Sequence, residues 1–428
     1  MPKITPGRME VVLEECYSGS IPPMFWGPPG VGKSDCVRGF TKKKNIGCID
    51  IRLSQYDPVD LRGVPRVETL VQRIEALEKS IEVAQRLKLD DEVKTLQDMV
   101  SKTMEALCDR GNTVTTQWAA PNFLPVPERD GERGILFLDE ITSADGQVQA
   151  AAYQLVLDRR LGDYELPDGW LVVAAGNRPE DRAVVKDMSS ALANRFCHFE
   201  VEYDLGDWVE WAFKAKIDSR VISYHRYKEG SSLYKFDPTS NDKAFPTPRT
   251  WERVSDALKN QEGIIPTDTI QGCVGIGEGV EFEAFCDLRS HIPNPDAILA
   301  AACKGEKPKL PDLGQEIKMT KKKRVRDETG ALVVKEVKYE FDGSCLLYML
   351  LTAIATKTSK DNLEGIWNLV DQLADHDHHR DYSVWFLSDC LTVERTLVSG
   401  FQRGQRLLAW SRTNKDLVAS LRHASIKP

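Results

Sequence analysis

The chain has 428 residues, 41% of them hydrophobic and 29% charged, with a net charge of −8. That length fits two or three domains with sizeable cores. The acidity argues against a protein whose main task is coating nucleic acid, and no run of about 18 apolar residues exists to cross a bilayer.

Residues 1–7 lack the apolar core of a secretory leader, and the ten cysteines include no C-x-x-C pair. Reduced thiols and a cytoplasmic location are the expectation. Residues 8–18 predict a short helix, and Met24-Phe25-Trp26 the end of a buried strand. The next stretch is Gly27-Pro28-Pro29-Gly30-Val31-Gly32-Lys33-Ser34, a G-x-x-x-x-G-K-S phosphate loop, with a helix expected to open at Asp35. Glycines let backbone N–H groups close around phosphate oxygens, and the helix turns its positive end toward them. Lys33 is expected to reach the β- and γ-phosphates, and the Ser34 hydroxyl to bind Mg²⁺.

Residues 47–54 read as a second strand and 57–65 as loop-rich. Between 67 and 108 the period changes: Leu70, Ile74, Leu77 and Ile81, then Val93, Leu96, Val100, Met104 and Leu107, predict a hairpin of two amphipathic helices. A packed protrusion is its ordinary reading and a partner-binding arm the sharper one. Residues 118–125 read as an irregular return segment. Then 134–140 (GILFLDE) form an apolar strand ending in two carboxylates, where ligands of parallel sheets collect. Asp139 is expected to hold Mg²⁺, and Glu140 to orient and polarise an attacking water. A helix over 147–160 and a hairpin over 162–169 lead to a strand over 170–177 that ends in Asn177, expected at the γ-phosphate or the attacking water. Residues 197–201 complete five strands alternating with helices, which predicts an α/β fold with a parallel sheet.

The ordered set GPPGVGKS, GILFLDE, AAGN and LANRF resembles the AAA+ ATPases. DPVDLRGVP after the second strand, the helix and hairpin before AAGN, and FPTPRTW at 245–251 are similar to the MoxR branch. The resemblance covers roughly residues 1–300. It implies an αβα core with a five-stranded parallel sheet, a helical lid, and homo-oligomeric rings, usually hexamers, with ATP between subunits. Nucleotide contacts would come from 27–35 (Gly27, Pro28, Pro29, Gly30, Val31, Gly32, Lys33, Ser34 and Asp35), Asp139 and Arg249. Arg195 matches the arginine finger that reaches the next subunit's γ-phosphate, and Arg249 the lid arginine called sensor 2. Implied domains are 1–205 with an insertion over 67–113, a lid over 206–304, and an extension over 305–428. The insertion is longer than is usual. The resemblance further implies a protein client that is remodelled, matured or activated, and a separate partner carrying a von Willebrand factor A domain.

Within the extension, 316–325 and 332–341 predict a hairpin (314–342 overall) bearing a basic run at Lys321, Lys322, Lys323, Arg324 and Arg326. A solvated hairpin guarding its edges is the ordinary reading, and contact with nucleic acid the alternative. Residues 345–421 predict a helical tail. His376, Asp377, His378 and His379 read as a polar loop between helices rather than a metal site. Two rival functions remain: a nucleic-acid motor, and an ATP-gated scaffold with little turnover.

Overall fold

Apolar runs such as 135–138 and 171–175 cannot face water on either side, so they demand central strands covered by helices. The computed structural model describes all residues except 88–89, 112–113, 120, 163, 179–180, 182–187, 238–241, 261–265, 327–331, 377, 398–400 and 416–428. Its strands are β1 (Lys3–Ile4), β2 (Pro23–Trp26), β3 (Gly47–Arg52), β4 (Val64–Thr69), β5 (Val114–Ala119) and β6 (Arg133–Asp139). They continue with β7 (Arg160–Leu161), β8 (Tyr164–Glu165), β9 (Gly169–Gly176), β10 (Cys197–Val201), β11 (Ile317–Arg326) and β12 (Leu332–Phe341). The main sheet has the order β1-β10-β2-β9-β6-β3. Its pairs β1–β10, β2–β9, β9–β6 and β6–β3 are all parallel. The fold is thus α/β as expected, with the two-residue β1 added to the five anticipated strands.

The chain divides into two compact units. The first comprises residues 1, 12–26 and 34–199. In it Ile135, Leu136, Phe137 and Leu138 of β6, and Val172, Val173, Ala174 and Ala175 of β9, are buried. Trp170 lies over the sheet's start, its ring filling the space a side chain would need at Gly47 and Gly134. A Cβ at Gly134 would sit 2.6 Å from that ring, so the β6 position beside it is closed to any larger residue.

The predicted helical hairpin is present as Leu70–Leu87 and Asp90–Arg110, packed on one another. Leu70 and Ile74 are buried near its base, Leu77, Ile81, Val93, Leu96, Val100 and Leu107 are half-buried, and Met104 is exposed. Two helices alone can shield only one stripe each. The base holds a feature that differs from the expected irregular return: β4 and β5 pair antiparallel from Val64↔Ala119 to Thr69↔Val114. The β-branched run Val114-Thr115-Thr116 favours this ribbon. The segment expected as loop also holds a short helix, Pro58–Arg62, begun by Asp57 N–H donating to Asp60 at 2.9 Å.

The second unit comprises residues 2–11, 27–33 and 200–428. Its core is aromatic: Tyr224, Trp251, Phe282, Phe285 and Trp367 are fully buried. The hairpin β11–β12 runs in register from Ile317↔Phe341 to Arg326↔Leu332 and buries Ile317 and Phe341 in that core. No helix among the described residues is long and apolar enough to cross a membrane, and no described group of three or more His, Cys, Asp or Glu side chains converges as a metal site.

His225 sits edge-on to Trp208 and Trp251, with ring centroids 4.9 and 4.5 Å away. Nδ1 meets Ser232 Oγ at 3.0 Å, and Nε2 has no hydrogen-bond partner among the described residues. Burial, reinforced by the Lys235 charge, pushes this imidazole down to about 3. The folded chain therefore keeps the ring neutral, while the unfolded chain takes up a proton below about 6.5. Its contribution to stability is complete above that pH and is lost as pH falls toward about 3, by up to ~1.4 kcal/mol per pH unit. Denaturant unfolding of this unit across that window should show the loss, and His225→Gln should flatten it.

Candidate functional site

The carboxyl ends of β6 and β9 carry the first unit's polar cluster. The helix Lys33–Lys44 begins two residues before the expected Asp35. In its first turn, Ser34 Oγ donates to Asp139 Oδ2 at 2.8 Å. The other Asp139 oxygen accepts the Glu140 N–H at 2.9 Å. Glu140 takes the left-handed conformation (φ 55°, ψ 32°), which costs a non-glycine residue on the order of 1 kcal/mol and marks a position fixed by its surroundings. That turn lets the Glu140 carboxylate accept the hydroxyl of Ser54, the residue two beyond β3. Asn177 follows β9 directly, is partly exposed, and accepts Thr142 Oγ1 at its carbonyl at 3.5 Å. The structure therefore brings Ser34, Asp139 and Glu140 into one connected set, with Ser54 added to it. Nothing in the sequence around Ser54 marks it; its place depends on β3 pairing with β6.

The rest of the phosphate loop belongs to the second unit. Gly30 and Gly32 have φ of +82° and +98°, the region where a side chain is strained. No described residue lies within 4 Å of a Cβ built on Gly32. The loop curls over its own lysine: Lys33 Nζ donates to Gly27 O at 2.7 Å and Pro28 O at 3.1 Å, and the side chain is buried. Tyr203 donates to Pro29 O at 3.4 Å, and Val31 is buried. A Cβ on Gly30 would lie 3.4 Å from Thr247 Cβ and 3.8 Å from Arg249 Cβ. Arg249 thus stands beside the loop, in the first turn of the helix Pro248–Lys259. A reciprocal cap fixes that turn: Thr250 N–H donates to Thr247 Oγ1 at 3.1 Å, and Thr247 N–H to Thr250 Oγ1 at 2.8 Å. The peptide bond between Lys33 and Ser34 joins these two groups of residues.

Arg195 and Arg249 are both exposed, with no ion-pair partner among the described residues. Arg159 differs: its Nη2 donates to Pro167 O at 2.6 Å and Trp170 O at 2.9 Å, so it is engaged within its own chain. Asp35 is exposed and pairs with Arg38 at 3.2 Å.

The donor set suits a hard divalent cation. A hydroxyl and a carboxylate oxygen 2.8 Å apart, with no nitrogen or sulfur ligand, is the chemistry Mg²⁺ takes when phosphates and water complete its shell.

No known protein family matches the chain, and no curated protein matches it. Among solved structures it is similar to a point mutant of Thermotoga maritima RuvB, at 13% identity and a TM-score of 0.32, over 70% of this chain and 75% of that one. It is also similar to the Thermotoga maritima RuvB Holliday junction branch migration motor, at 14% identity and a TM-score of 0.31, over the same shares.

Gly176 closes the cluster's back. A Cβ there would lie 2.7 Å from Thr142 and 2.9 Å from the Met24 methyl. Gly176→Ala should therefore push Thr142 off the Asn177 carbonyl and cost about 1–3 kcal/mol of stability, read by denaturant unfolding.

Proposed function

We propose that this chain is an Mg²⁺-dependent ATPase of AAA+ type, acting as a homo-oligomeric ring, hexameric as is usual for such proteins. The observation that carries the reading is the Ser34–Asp139 hydrogen bond, which joins the end of a phosphate loop to the carboxylate that closes a buried parallel strand. Ser34 and Asp139 would hold the Mg²⁺ ion, which when bound neutralises charge on the β- and γ-phosphate oxygens. Gly27 to Ser34 would cradle the phosphates with backbone N–H groups, and Lys33 would turn from its loop carbonyls to the γ-phosphate. Glu140 would accept a hydrogen bond from the attacking water once Ser54 releases it. Asn177 would orient the same water or the γ-phosphate. Arg249, beside Gly30, would sense the nucleotide within its own chain. The exposed Arg195 would meet the nucleotide of a neighbouring copy.

The MoxR-like spelling of 57–65 and 245–251 supports a finer reading. The ring would remodel, mature or activate a protein client in the cytoplasm, with a von Willebrand factor A-type partner supplied as a separate chain. The alternative, a nucleic-acid-dependent motor, rests on the basic run 321–326, of whose side chains the structure describes Lys321 alone. Lys321 is paired with Asp287, and Lys318 lies 3.7 and 3.9 Å from Glu316 and Glu340, so these two lysines of the hairpin's first strand have acidic partners. The scaffold reading requires a disabled water site, whereas Glu140 is intact and hydrogen-bonded.

Three variants test the reading. Lys33→Ala should abolish nucleotide binding. Glu140→Gln should bind ATP and lose about 10²–10⁴-fold in turnover. Arg195→Ala should lose about 10³–10⁵-fold. In a one-to-one mixture of the last two, Glu140→Gln copies lend their arginine to Arg195→Ala neighbours, and turnover should recover. Proof of mixing without recovery would show that Arg195 does not act between copies, and absence of any ATP turnover in the unmodified chain would overturn the ATPase reading.

A further inference from the structure

His198 is linked to the Arg195 turn and to the strand before the phosphate loop by two hydrogen bonds. Trp26 Nε1–H donates to His198 Nδ1 at 2.8 Å. His198 Nε2 meets the Ala193 carbonyl oxygen at 2.7 Å. An indole N–H can only donate and a carbonyl can only accept, so the ring is neutral with its proton on Nε2. Both ring nitrogens are used, the Trp26 and His198 planes lie 27° apart across their hydrogen bond, and the edge of Phe196 stands at 6.4 Å.

The two partners matter for where they stand. Trp26 is the last residue of β2, next to Gly27. Ala193 ends the four-residue helix Ser190–Ala193, two residues before Arg195. Leu192 and Phe196, on either side of Arg195, are buried in the first unit's core. The chain between them turns outward through Arg195 N–H donating to Leu192 O at 3.1 Å and Phe196 N–H to Ala193 O at 3.1 Å. A helix this short has little rigidity of its own, and the His198 contact supplies a fixed point in the middle of that turn. We infer that His198 is a positioning residue: it ties the Arg195 turn to the strand that leads into the phosphate loop, so that the guanidinium is presented at a fixed height to a neighbouring copy. This rests on the ring-ATPase reading above.

The consequence separates His198 from an ordinary packing residue. Its loss should damage what a copy lends to its neighbour and spare what that copy does with its own nucleotide. His198→Ala should lower turnover about 10–10²-fold, as small misplacements of catalytic groups do, with nucleotide affinity within about twofold of the unmodified chain. In a one-to-one mixture with Glu140→Gln, turnover should recover, because the His198→Ala copies keep sound sites that a Glu140→Gln neighbour can serve. His198→Gln, whose amide N–H can still reach Ala193 O, should retain more activity than His198→Asn, whose shorter amide can satisfy only Trp26. Trp26→Phe should show a milder form of the His198→Ala defect. Should His198→Ala fail to fold, the Gln and Asn variants decide the matter by the same mixing experiment. If Arg195→Ala recovers in the mixture and the His198 variants do not, or if their nucleotide affinity falls with turnover, His198 serves the copy's own site or its fold and the inference is overturned. If neither recovers, the shared-site reading fails and takes the inference with it.

Discussion

The polar cluster of the first unit depends on parallel strands ending along one edge of the sheet. A strand that enters a helix through a tight loop delivers that helix's free N–H groups to the same edge, and neighbouring strands deliver carboxylates and amides there. The Ser34–Asp139 hydrogen bond is where these two deliveries meet. It joins the first turn of the helix after β2 to the end of β6, although β9 lies between the two strands in the sheet. Slipping β6 by one residue would either draw Asp139 into the buried place of Leu138 or push Leu138 out to the half-exposed end, so the apolar packing of the sheet sets the register of the site.

Local backbone strain then aims the groups. Glu140 takes its left-handed conformation and so turns its carboxylate toward Ser54. Gly176 leaves room for Thr142, which holds the Asn177 carbonyl. Gly30 and Gly32 take backbone angles that strain other residues, and Gly30 allows the capped helix bearing Arg249 to approach. In each case a small or strained residue makes room for its neighbour.

The elements outside the sheet follow local rules more than chemistry. The helical hairpin over 70–110 shields one stripe per helix and is anchored by the β4–β5 ribbon. The basic hairpin pairs Lys321 with Asp287 and places the exposed Lys318 near Glu316 and Glu340. The histidine cluster carries no metal geometry among the described residues: His379 is buried, and desolvation first and the neighbouring His376 next lower its proton affinity.

Periodicity and motif spacing were enough to locate the glycine-rich loop over 27–34, the carboxylate pair at the end of β6, Asn177 after β9, the two helices of the insertion and the β11–β12 hairpin. All of these are written in consecutive residues, where chain connectivity alone fixes which groups are neighbours. The β4–β5 ribbon was hidden because its strands are separated by the whole arm, and pairing between distant segments leaves little local trace. Ser54 and His198 were hidden for the same reason. Ser54 gains its place from strand order, and His198 from the approach of β10 to Trp26. The sequence by itself determined which groups this protein carries, because motifs are local. Only the tertiary structure decided which residues hold those groups in place, because hydrogen bonds and close packing between distant segments exist only after the chain has folded.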